Sequence, residues 1–282
     1  MRRVAILTAR HLPQLSPDDG GVVFDAFRRA GLEAFPAIWQ EGVPDADAAI
    51  VRTTWDYTSD PEGFARTLAA IAERMPLLNP LDTIRWNLDK RYLAELAAAG
   101  ADVPATLVVP RDDARTLEDV LEALAADEVV VKPVVGAGGR ATWRGRREDA
   151  ASWRTAVAER DLLVQPFIPE VITDGEVSLL YFGGQYSHAV RKRPTGGEFR
   201  VQDDHGGVVE AYDPPPAIRA AAERTLVTVT RPWSYARVDG IVLGERFVLM
   251  EIELVEPELF LRFDAASPDR YAAACAGALR AL

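Results

Sequence analysis

The stretch RFVLMEIELVEPELFL at residues 246–261 combines the apolar residues of a buried β-strand with four carboxylates. The carboxylates belong to Glu251, Glu253, Glu256 and Glu258. Removing an unpaired carboxylate from water costs several kcal/mol or forces it to take up a proton. A strand that buries such residues must therefore face a positive partner, which can be a basic side chain, a metal ion or a ligand.

The upstream segment SYARVDGIV, followed by the turn LGER, predicts the other strand of a β-hairpin. A three-residue loop at 244–246 would place Asp239 opposite Glu251 and Arg237 opposite Glu253. One face would then gather three carboxylates and one guanidinium, because side chains alternate along a strand. Mg²⁺ takes oxygen ligands and would relieve the repulsion between these acids. A two-residue turn would spoil this pairing, and the alternative is a solvated edge hairpin with Arg237 as counter-ion.

Lysine and glycine residues elsewhere predict a site for the polyphosphate that magnesium usually accompanies. The segment VVVKPVVGAGG places Lys132 at the end of an apolar strand and continues with Gly136, Gly138 and Gly139. Glycines let backbone N–H groups approach phosphate oxygens, although this spacing matches neither the Walker A nor the Rossmann pattern. Lys90, in LDKRYL, opens a helix, and the alternative for it is a solvated surface lysine.

The segment HAVRKRPTGGEFRVQ is a basic cluster in a chain whose net charge is −11. It carries Arg191, Lys192, Arg193 and Arg200, which could stabilise charge on a transferred phosphoryl group. The alternative is a surface turn that forms salt bridges with the Glu-rich strand.

The segment LLVQPFIPE predicts a strand that runs into a proline-stiffened turn. Backbone groups at this turn could bind adenine, and Glu170 could bind ribose hydroxyls. Together with the lysines and glycines, this segment would complete a nucleotide site.

The elements that must position these residues begin with alternating strands and helices in residues 1–85, which predict a parallel sheet covered by helices. Strands are expected at RVAILTA, EAFPAIW, DAAIVRTT and PLLNP, and helices at SPDDGGVVFDAFRRAG and PEGFARTLAAIAERM. Further along, helices are expected at NLDKRYLAELAAAG, DARTLEDVLEALAAD and 217–230, with strands at EVVVKPVV and GEVSLLYFGGQYSHAVRKRP.

Ligands of parallel sheets bind beyond the carboxyl ends of the strands. VRTTWDYTSD lies at such an end, so Arg52, Thr53, Trp55 and Asp56 are candidate substrate contacts. The alternative is a capping loop with a packed tryptophan. Basic and aromatic residues here and near 185–200 indicate a small, polar substrate that bears a carboxylate, such as an amino acid.

Composition excludes several classes of protein. A net charge of −11 argues against a nucleic-acid surface, and the single Cys275 excludes an internal disulfide framework. The histidines His11, His188 and His205 do not have zinc-site spacing. With no signal peptide and no apolar run near the roughly 18 residues that span a membrane, we expect a soluble cytoplasmic protein, either monomeric or homo-oligomeric.

The segment ARVDG…VLMEIE resembles the Arg-x-Asp and Glu-x-Asn strands of the ATP-grasp superfamily of carboxylate–amine ligases. The resemblance extends from about residue 45 to residue 263. It implies metal ligands at Asp239, Glu251 and Glu253, with Glu253 at a position where the family usually has asparagine, and a transition-state arginine at Arg237.

The same resemblance implies roles for further residues in binding and catalysis. Nucleotide contacts are implied at Lys90, Lys132, Gly136, Gly138, Gly139, Gln165, Phe167, Ile168, Glu170 and Glu176. Catalytic roles are implied at Arg200 and Lys192 beside Arg237, and substrate contacts at His188 and Arg191 beside those in VRTTWDYTSD.

The implied fold is an α/β ATP-grasp fold with three lobes: an N-terminal lobe at 1–85, a central lobe at 86–164 and a C-terminal lobe at 165–282. The C-terminal lobe would carry the metal-binding strands, and the central and C-terminal lobes would hold ATP and two Mg²⁺ ions between them. The segments RTTWDY, RWNLDKRYL and EIELVEPELFL are similar to a narrower branch that contains the D-cycloserine-forming cycloligase and prokaryotic glutathione synthetase.

The implied activity is ATP-dependent formation of a C–N bond from a small carboxylate and an amine, through an acyl phosphate and within one molecule or between two. One alternative is an ATP-grasp kinase that phosphorylates a hydroxyl. The other is a non-catalytic nucleotide-binding module.

Overall fold

Residues 1–17, 19–201 and 206–282 are described by the computed structural model, so His205 lies outside the described residues. Within these ranges the strands form three separate sheets, of three, four and five strands. Together with the helices that cover them, they give the α/β architecture expected from the sequence pattern.

The N-terminal sheet is parallel, as the alternation of strands and helices predicted. Its strands are β1 (Arg2–Thr8), β2 (Leu32–Ile38) and β3 (Ala48–Thr53), in the order β2-β1-β3. The helices of this region are α1 (Gly20–Arg29) and α2 (Pro61–Ala72). Helix α2 begins where expected, because Pro61 occupies its first turn and the Asp60 side chain accepts a hydrogen bond from the N–H of Gly63 at 2.9 Å.

The segment PLLNP does not form the expected strand. Leu77 forms only an isolated bridge with Ala49, since the flanking prolines have no N–H with which to extend the pairing. The segment instead connects two sheets, because the Asn79 side chain donates a hydrogen bond to the carbonyl of Leu254 at 2.6 Å.

The helix expected at NLDKRYLAELAAAG is divided in two. Helix α3 (Leu81–Leu88) ends before Lys90, and helix α4 (Tyr92–Ala98) begins after it. The backbone N–H of Lys90 donates to the carbonyl of Val134 at 2.8 Å, a bond that lies outside both helices. The break therefore fastens Lys90 to the central sheet.

The central sheet is antiparallel and has the strand order β4-β7-β5-β6. Its strands are β4 (Leu107–Val109), β5 (Val129–Pro133), β6 (Trp143–Gly145) and β7 (Leu162–Pro166). Helices α5 (Leu117–Ala123) and α6 (Ala150–Glu159) pack against it around the buried Trp153. The three-lobe division stays a prediction, and β7 runs past the expected boundary at residue 164 because Pro166 pairs with Val129.

The C-terminal sheet is antiparallel and has the strand order β10-β9-β8-β11-β12. The short helix α7 (Glu170–Thr173) leads into β8 (Glu176–Phe182), β9 (Gln185–Arg193) and β10 (Val208–Tyr212). Helix α8 (Pro216–Val227) comes before the hairpin of β11 (Tyr235–Leu243) and β12 (Arg246–Glu253). This helix covers the face of the sheet opposite the hairpin acids, where Ile218, Ala222 and Leu226 share an apolar core with β12.

The last helix, α9 (Ser267–Ala281), returns to the N-terminal sheet. Tyr271 and Cys275 of α9 pack in one core with Phe27 of α1, and the Arg2 guanidinium donates to the carbonyl of Leu279. Cys275 is fully buried there, which agrees with its expected role as a small packed side chain. In the ranges that the structure describes, no helix has both the length and the apolar character needed to cross a lipid bilayer.

Candidate active site

The β11–β12 hairpin reaches the expected pairing of acids by an unexpected route. Its turn has two residues, so Leu243 pairs with Arg246 and the expected three-residue loop is wrong. A register shift further along β12 leaves Met250 without a partner across the hairpin. This β-bulge restores the pairing of Asp239 with Glu251 that the short turn alone would have lost.

The bulge also decides which side chains of β12 face the active-site side. Phe247 and Leu249 precede it and Ile252 follows it, yet all three pack in the same apolar core. In a regular strand, residues two positions apart share a face, so Glu251 and Glu253 would have pointed into that core with Phe247. The extra residue reverses the alternation, and both glutamates line the cavity instead.

Arg237 is the central cation of this acidic face. Its Nη2 lies 2.8 Å from Asp239 Oδ2, and the same nitrogen also donates to Glu253. Burial acts to raise the pKa of Asp239, but the charges of Arg237 and Lys192 outweigh it and lower that pKa to about 2. Burial raises the pKa of Glu253 to about 8, because the attraction of the shared Arg237 offsets it only in part.

Lys90 provides the second ion pair of the acidic face. Its Nζ lies 2.5 Å from Glu251 Oε1 and donates to the carbonyl of Gly136 at 3.1 Å. Burial acts to raise the pKa of Glu251, but the charges of Lys90 and Lys132 overcome it and lower that pKa. Lys90 is therefore a cavity residue, and the surface-lysine alternative is wrong.

Lys192, on β9, lies beside the acidic face and outside the cavity lining. It is buried, with Nζ 2.5 Å from Glu176 Oε1 and 3.6 Å from Asp239 Oδ2. The Ser178 hydroxyl donates to Asp239 at 2.6 Å from the neighbouring strand. Lys192 therefore does not reach the cavity, and the catalytic contact expected for it is not supported, whereas Glu176 lines the cavity.

Lys132 and the glycine loop form the opposite wall of the cavity. Gly136, Gly138 and Gly139 all belong to the lining, beside Lys132 at the end of β5. Gly138 and Gly139 have φ angles of 63° and 66°, a left-handed conformation that glycine adopts without strain. Burial lowers the pKa of Lys132 to about 8, since the nearby acids offset this cost only in part.

The turn after β7 supplies apolar surface to the cavity through Phe167 and Ile168. The Arg144 guanidinium lies over the Phe167 ring, 4.0 Å from its centroid, and is itself held by Glu128 at 2.6 and 2.7 Å. The side chain of Gln165 points elsewhere: it is buried and donates to the Thr106 hydroxyl at 2.9 Å. A contact of this side chain with the base is therefore not supported.

Glu170 is the other expected nucleotide contact that lies outside the cavity lining. It opens helix α7, and its carbonyl accepts hydrogen bonds from Asp174 at 2.8 Å and Gly175 at 3.2 Å. These are backbone contacts that close the short helix, so the ribose contact expected for its carboxylate is not supported.

Arg200 reaches the cavity together with its neighbours Phe199 and Val201. Its Nη2 lies 2.7 Å from Glu198 Oε2, and this hydrogen bond lowers the pKa of Glu198 to about 2. The Arg200 Nε is buried and has no hydrogen-bond partner among the described residues. Of the basic cluster, Arg200 is thus the residue that faces the cavity.

Three of the four substrate contacts expected in VRTTWDYTSD lie outside the cavity lining. Arg52 is 1% exposed and pairs with Asp19 at 3.0 Å. Thr53 is buried at the end of β3. Asp56 accepts hydrogen bonds from Trp39 Nε1 at 2.8 Å and Gln40 Nε2 at 2.6 Å. Trp55, the fourth, lines the cavity as expected.

His188 and Arg191 also lie away from the cavity lining. His188 Nε2 lies 3.0 Å from the carbonyl oxygen of Leu259, and burial lowers the pKa of this imidazole. The Arg191 guanidinium lies over the ring of Tyr212, 4.1 Å from its centroid. Alternation along β9 places Arg191 on the face opposite Lys192. His188 shares the face of Lys192 but lies further along the strand, where it contacts the backbone of Leu259 and Phe260 instead of the acids.

The cavity enclosed by these residues has a volume of about 280 Å³ and lies between the central and C-terminal sheets. It also contains residues to which the sequence analysis gave no role: Tyr57, Asn87, Arg140, Thr142, Phe199, Met250, Val255, Glu256 and Glu258. Glu256 and Glu258 stand out in the sequence as acids of an apolar segment, but no pattern gives them a role. No sequence pattern indicated Asn87, because its contacts are with the backbone of a distant strand. Its Nδ2 donates to the carbonyl of Ile252 at 2.7 Å, and its Oδ1 accepts from the N–H of Leu254 at 2.6 Å.

The three hairpin acids do not form a ready-made metal cage. Across the described ranges, no group of three His, Cys, Asp or Glu side chains is arranged to hold a metal ion. The cations Arg237 and Lys90 engage the acids instead. The chemistry of the donor set still fits Mg²⁺, since Asp239, Glu251 and Glu253 offer only carboxylate oxygens and line one cavity.

Two family models match separate parts of the chain. The N-terminal domain of D-cycloserine synthetase DcsG matches residues 4–79, and the ATP-grasp domain of prokaryotic glutathione synthetase matches residues 93–228. The cycloserine biosynthesis protein DcsG of Streptomyces lavendulae is 32% identical over 278 residues, which cover 92% of this chain and 93% of the relative. The chain belongs to the DcsG family of ATP-grasp ligases.

Solved structures agree with this membership. The crystal structure of D-cycloserine synthetase DcsG matches this DcsG-family chain with a TM-score of 0.87 and 30% identity, over 98% of this chain and 99% of that one. D-alanine–D-alanine ligase from Bacillus anthracis, complexed with ATP, matches with a TM-score of 0.67 over 100% and 97% of the two chains. At 16% identity the second match shows the fold alone.

Membership of the DcsG family confirms the predicted ATP-grasp fold and the class of ATP-dependent carbon–nitrogen ligase. It does not test individual residues, so the roles expected for the cavity residues stay predictions.

Proposed function

We propose that this ligase uses ATP to activate the carboxylate of a small amino acid and then joins the acyl carbon to a nitrogen. The nitrogen belongs to the same molecule, as in a cyclisation that forms D-cycloserine from O-ureido-D-serine. The observation that supports this proposal most directly is the composition of the cavity. Lys90, Lys132, the glycine loop and the three hairpin carboxylates line one cavity of about 280 Å³. This volume is close to the lower end of ordinary ligand pockets.

ATP would lie between the central and C-terminal sheets. Phe167, Ile168 and Met250 offer apolar surface for the adenine ring. Lys90 and Lys132 would neutralise the phosphates, and the N–H groups of the glycine loop would approach the phosphate oxygens. Lys132 fits this task because no acidic side chain in the described ranges forms a direct ion pair with it, so its ammonium is available to a phosphate.

Asp239, Glu251 and Glu253 would hold Mg²⁺, with two ions as the expected number. When bound, magnesium supplies charge neutralisation on the phosphates of ATP. The remaining electrostatic work falls to the protein's own cations. Lys192 and Ser178 contact Asp239 from other strands of the same sheet and would keep its carboxylate in one orientation.

The first chemical step is attack of the substrate carboxylate oxygen on the γ-phosphorus, which breaks the bond to ADP and gives an acyl phosphate. Arg237 and Arg200 would stabilise the negative charge that develops on the transferred group. Arg237 suits this role because Asp239 and the carbonyl of Glu258 already fix its guanidinium, so little reorganisation is needed.

The second step is attack of the nitrogen on the acyl carbon, with loss of the nitrogen's proton and departure of inorganic phosphate. With O-ureido-D-serine, ring closure leaves the carbamoyl group on the nitrogen, and its hydrolysis by water to carbon dioxide and ammonia is needed to give D-cycloserine. The acyl phosphate must be protected from water until then. The glycine loop, with Trp55 and Tyr57 of the N-terminal region, lines the cavity and would provide this cover.

The experiment that tests the proposal is ADP release from the full chain with ATP, Mg²⁺ and O-ureido-D-serine, followed by mass spectrometry of the products. A panel of small amino acids, each with and without an added amine, extends the assay to intermolecular ligation. The expected result is substrate-dependent ADP and free phosphate together with a new C–N bond. A stable phosphoester would indicate a kinase instead, and ATP binding without ADP release for every compound would indicate a non-catalytic module.

A further inference from the structure

Glu256 is a buried carboxylate that the proposed nucleotide chemistry does not use. Its exposure is 7%, and it belongs to the cavity lining. Lys90 pairs with Glu251 and Arg237 pairs with Glu253, whereas Glu256 pairs with no basic side chain in the part of the chain that the structure describes. The charge of Lys90, which is already paired with Glu251, offsets the cost of burying this carboxylate only in part, so a ligand that supplies a positive charge would stabilise it.

Two aromatic side chains of the N-terminal region lie next to Glu256. Trp55 Nε1 donates to the carbonyl of Glu256 at 3.0 Å. The Tyr57 hydroxyl lies close enough to Glu256 that, after burial, the charge of this carboxylate raises the tyrosine pKa. Both Tyr57 and Trp55 line the same cavity. A carboxylate beside aromatic rings is a chemistry suited to an ammonium group, which is attracted by the charge and by the ring faces.

The segment that carries Glu256 is held rigidly from several directions. The N–H of Leu254 donates to Asn87 Oδ1 at 2.6 Å, and the Tyr235 hydroxyl donates to the carbonyl of Val255 at 3.1 Å. Val255 also packs in the apolar core that contains Tyr57. The carboxylate is thus presented by a fixed backbone, as a specificity-determining residue requires.

The location of Glu256 relates it to the reacting end of the substrate. It follows Glu253 closely in sequence and lines the same cavity, but its partners come from the N-terminal region rather than from the nucleotide side. A small amino acid whose carboxylate is activated near Arg237 and Glu253 carries its amino group only one carbon further on. That amino group needs a buried anion, and Glu256 is the cavity acid that lacks a basic partner.

We propose that Glu256, flanked by Tyr57 and Trp55, binds the ammonium group of the amino-acid substrate. This inference rests on the proposed function, in which the substrate is an amino acid, and adds to it the residue that recognises the protonated amine beside the carboxylate that is activated. Compounds that lack the amine should bind weakly, because they would leave the Glu256 carboxylate buried without a counter-charge.

The test measures binding by titration calorimetry, with the full chain saturated with a non-hydrolysable ATP analogue and Mg²⁺. O-Ureido-D-serine is compared with 3-(ureidooxy)propanoate, which lacks only the amino group, and D-alanine is compared with propanoate. The wild type should bind the amino member of at least one pair at least about tenfold more tightly, since an unpaired buried charge is expensive. Glu256→Gln should abolish most of this preference and leave the affinity for the ATP analogue unchanged.

Two further variants test the contribution of Tyr57 and provide a control. Tyr57→Phe retains the ring that stacks on Phe64 and removes only the hydroxyl, so it should weaken the preference by a smaller factor. Glu258→Gln is the matched control, because Glu258 lines the same cavity but is paired with Arg262 at 2.6 Å, and it should retain the preference.

The inference is overturned if Glu256→Gln keeps the wild-type preference, if affinity for the ATP analogue falls in parallel, or if the wild type discriminates within neither pair. Failure of the proposed function gives a different result. Absence of ADP release with every compound would contradict the ligase reaction. The preference for an ammonium group would still be measurable, because calorimetry records binding without turnover.

Discussion

Asp239 lies opposite Glu251 across the β11–β12 hairpin only because Met250 adds one residue to β12. The turn is one residue shorter than expected, and the bulge adds one unpaired residue to β12. The two deviations shift the pairing in opposite directions, so the acids are paired as expected. Beyond the bulge the alternation of faces is reversed, which sends Glu251 and Glu253 to the cavity while Phe247 stays in the core. The bulge is therefore the backbone feature on which the site depends.

Insertion of one alanine between Asp239 and Gly240 should give Met250 a partner across the hairpin and so remove the bulge. Strand β12 would then alternate regularly, so Glu251 and Glu253 would face the apolar core with Phe247 or force the hairpin to rearrange, and we expect ATP-dependent ADP release to fall by at least about 100-fold. Deletion of Met250 should cost far less, because it also removes the bulge but leaves Asp239 opposite Glu251 and places Glu251 directly after Leu249, on the cavity face. Turnover near the wild-type level in the insertion variant, with an unchanged circular dichroism spectrum, would contradict this account of the bulge.

Asp239→Asn and Glu251→Gln should each abolish turnover and leave the fold intact. Both replace a carboxylate by a neutral side chain of nearly the same shape, so the loss falls on charge and on metal binding rather than on packing. The check is ADP release as a function of Mg²⁺ concentration, with thermal unfolding as the control for folding. Near-normal ADP production by either variant would disprove the assigned metal role.

Lys132 should give ATP binding a dependence on pH. Burial lowers the pKa of its ammonium to about 8, so in the free protein the charge is present below this pH and is lost as the pH rises through it. The dissociation constant for ATP should accordingly increase between about pH 7 and pH 9, with bound phosphate moving the transition upward. Calorimetric titrations across this range provide the measurement.

Two variants separate Lys132 from other groups that titrate. Lys132→Arg keeps a positive charge throughout the range and should flatten the dependence, whereas Lys132→Ala should raise the Michaelis constant for ATP at every pH. Unchanged kinetics in Lys132→Ala would count against a phosphate contact.

Arg52 should matter for stability rather than for substrate binding. Its ion pair with Asp19 is almost completely buried, and removal of one partner from such a pair typically costs about 3–5 kcal/mol. Arg52→Met should therefore lower the free energy of unfolding in urea by an amount of this order. The double variant with Asp19→Asn should recover part of the loss, and the Michaelis constants of the folded fraction should not change. A selective increase in the Michaelis constant for the amino acid would restore Arg52 as a substrate contact.

Much of this protein follows from patterns among neighbouring residues. Alternating strands and helices predicted the parallel sheet of β1, β2 and β3, because burial on both faces of a sheet requires continuous apolar runs. The acids and Arg237 of the hairpin, Lys132 and the glycine loop were recognisable because their chemistry is costly in a core without a ligand. All of these residues lie together around the cavity.

Contacts between distant parts of the chain decided the rest. Whether Arg52, Asp56 and His188 bind substrate or hold the fold depends on partners that no local pattern specifies, such as Asp19 for Arg52 and the carbonyl of Leu259 for His188. The role proposed for Glu256 likewise depends on residues distant in sequence, because Trp55 and Tyr57 line the same cavity. A sequence determines which side chains are able to do chemistry, because that depends on their type and local burial. Tertiary structure decides which of them meet, because a single inserted residue reverses the face of a strand and each long-range contact selects one partner among many.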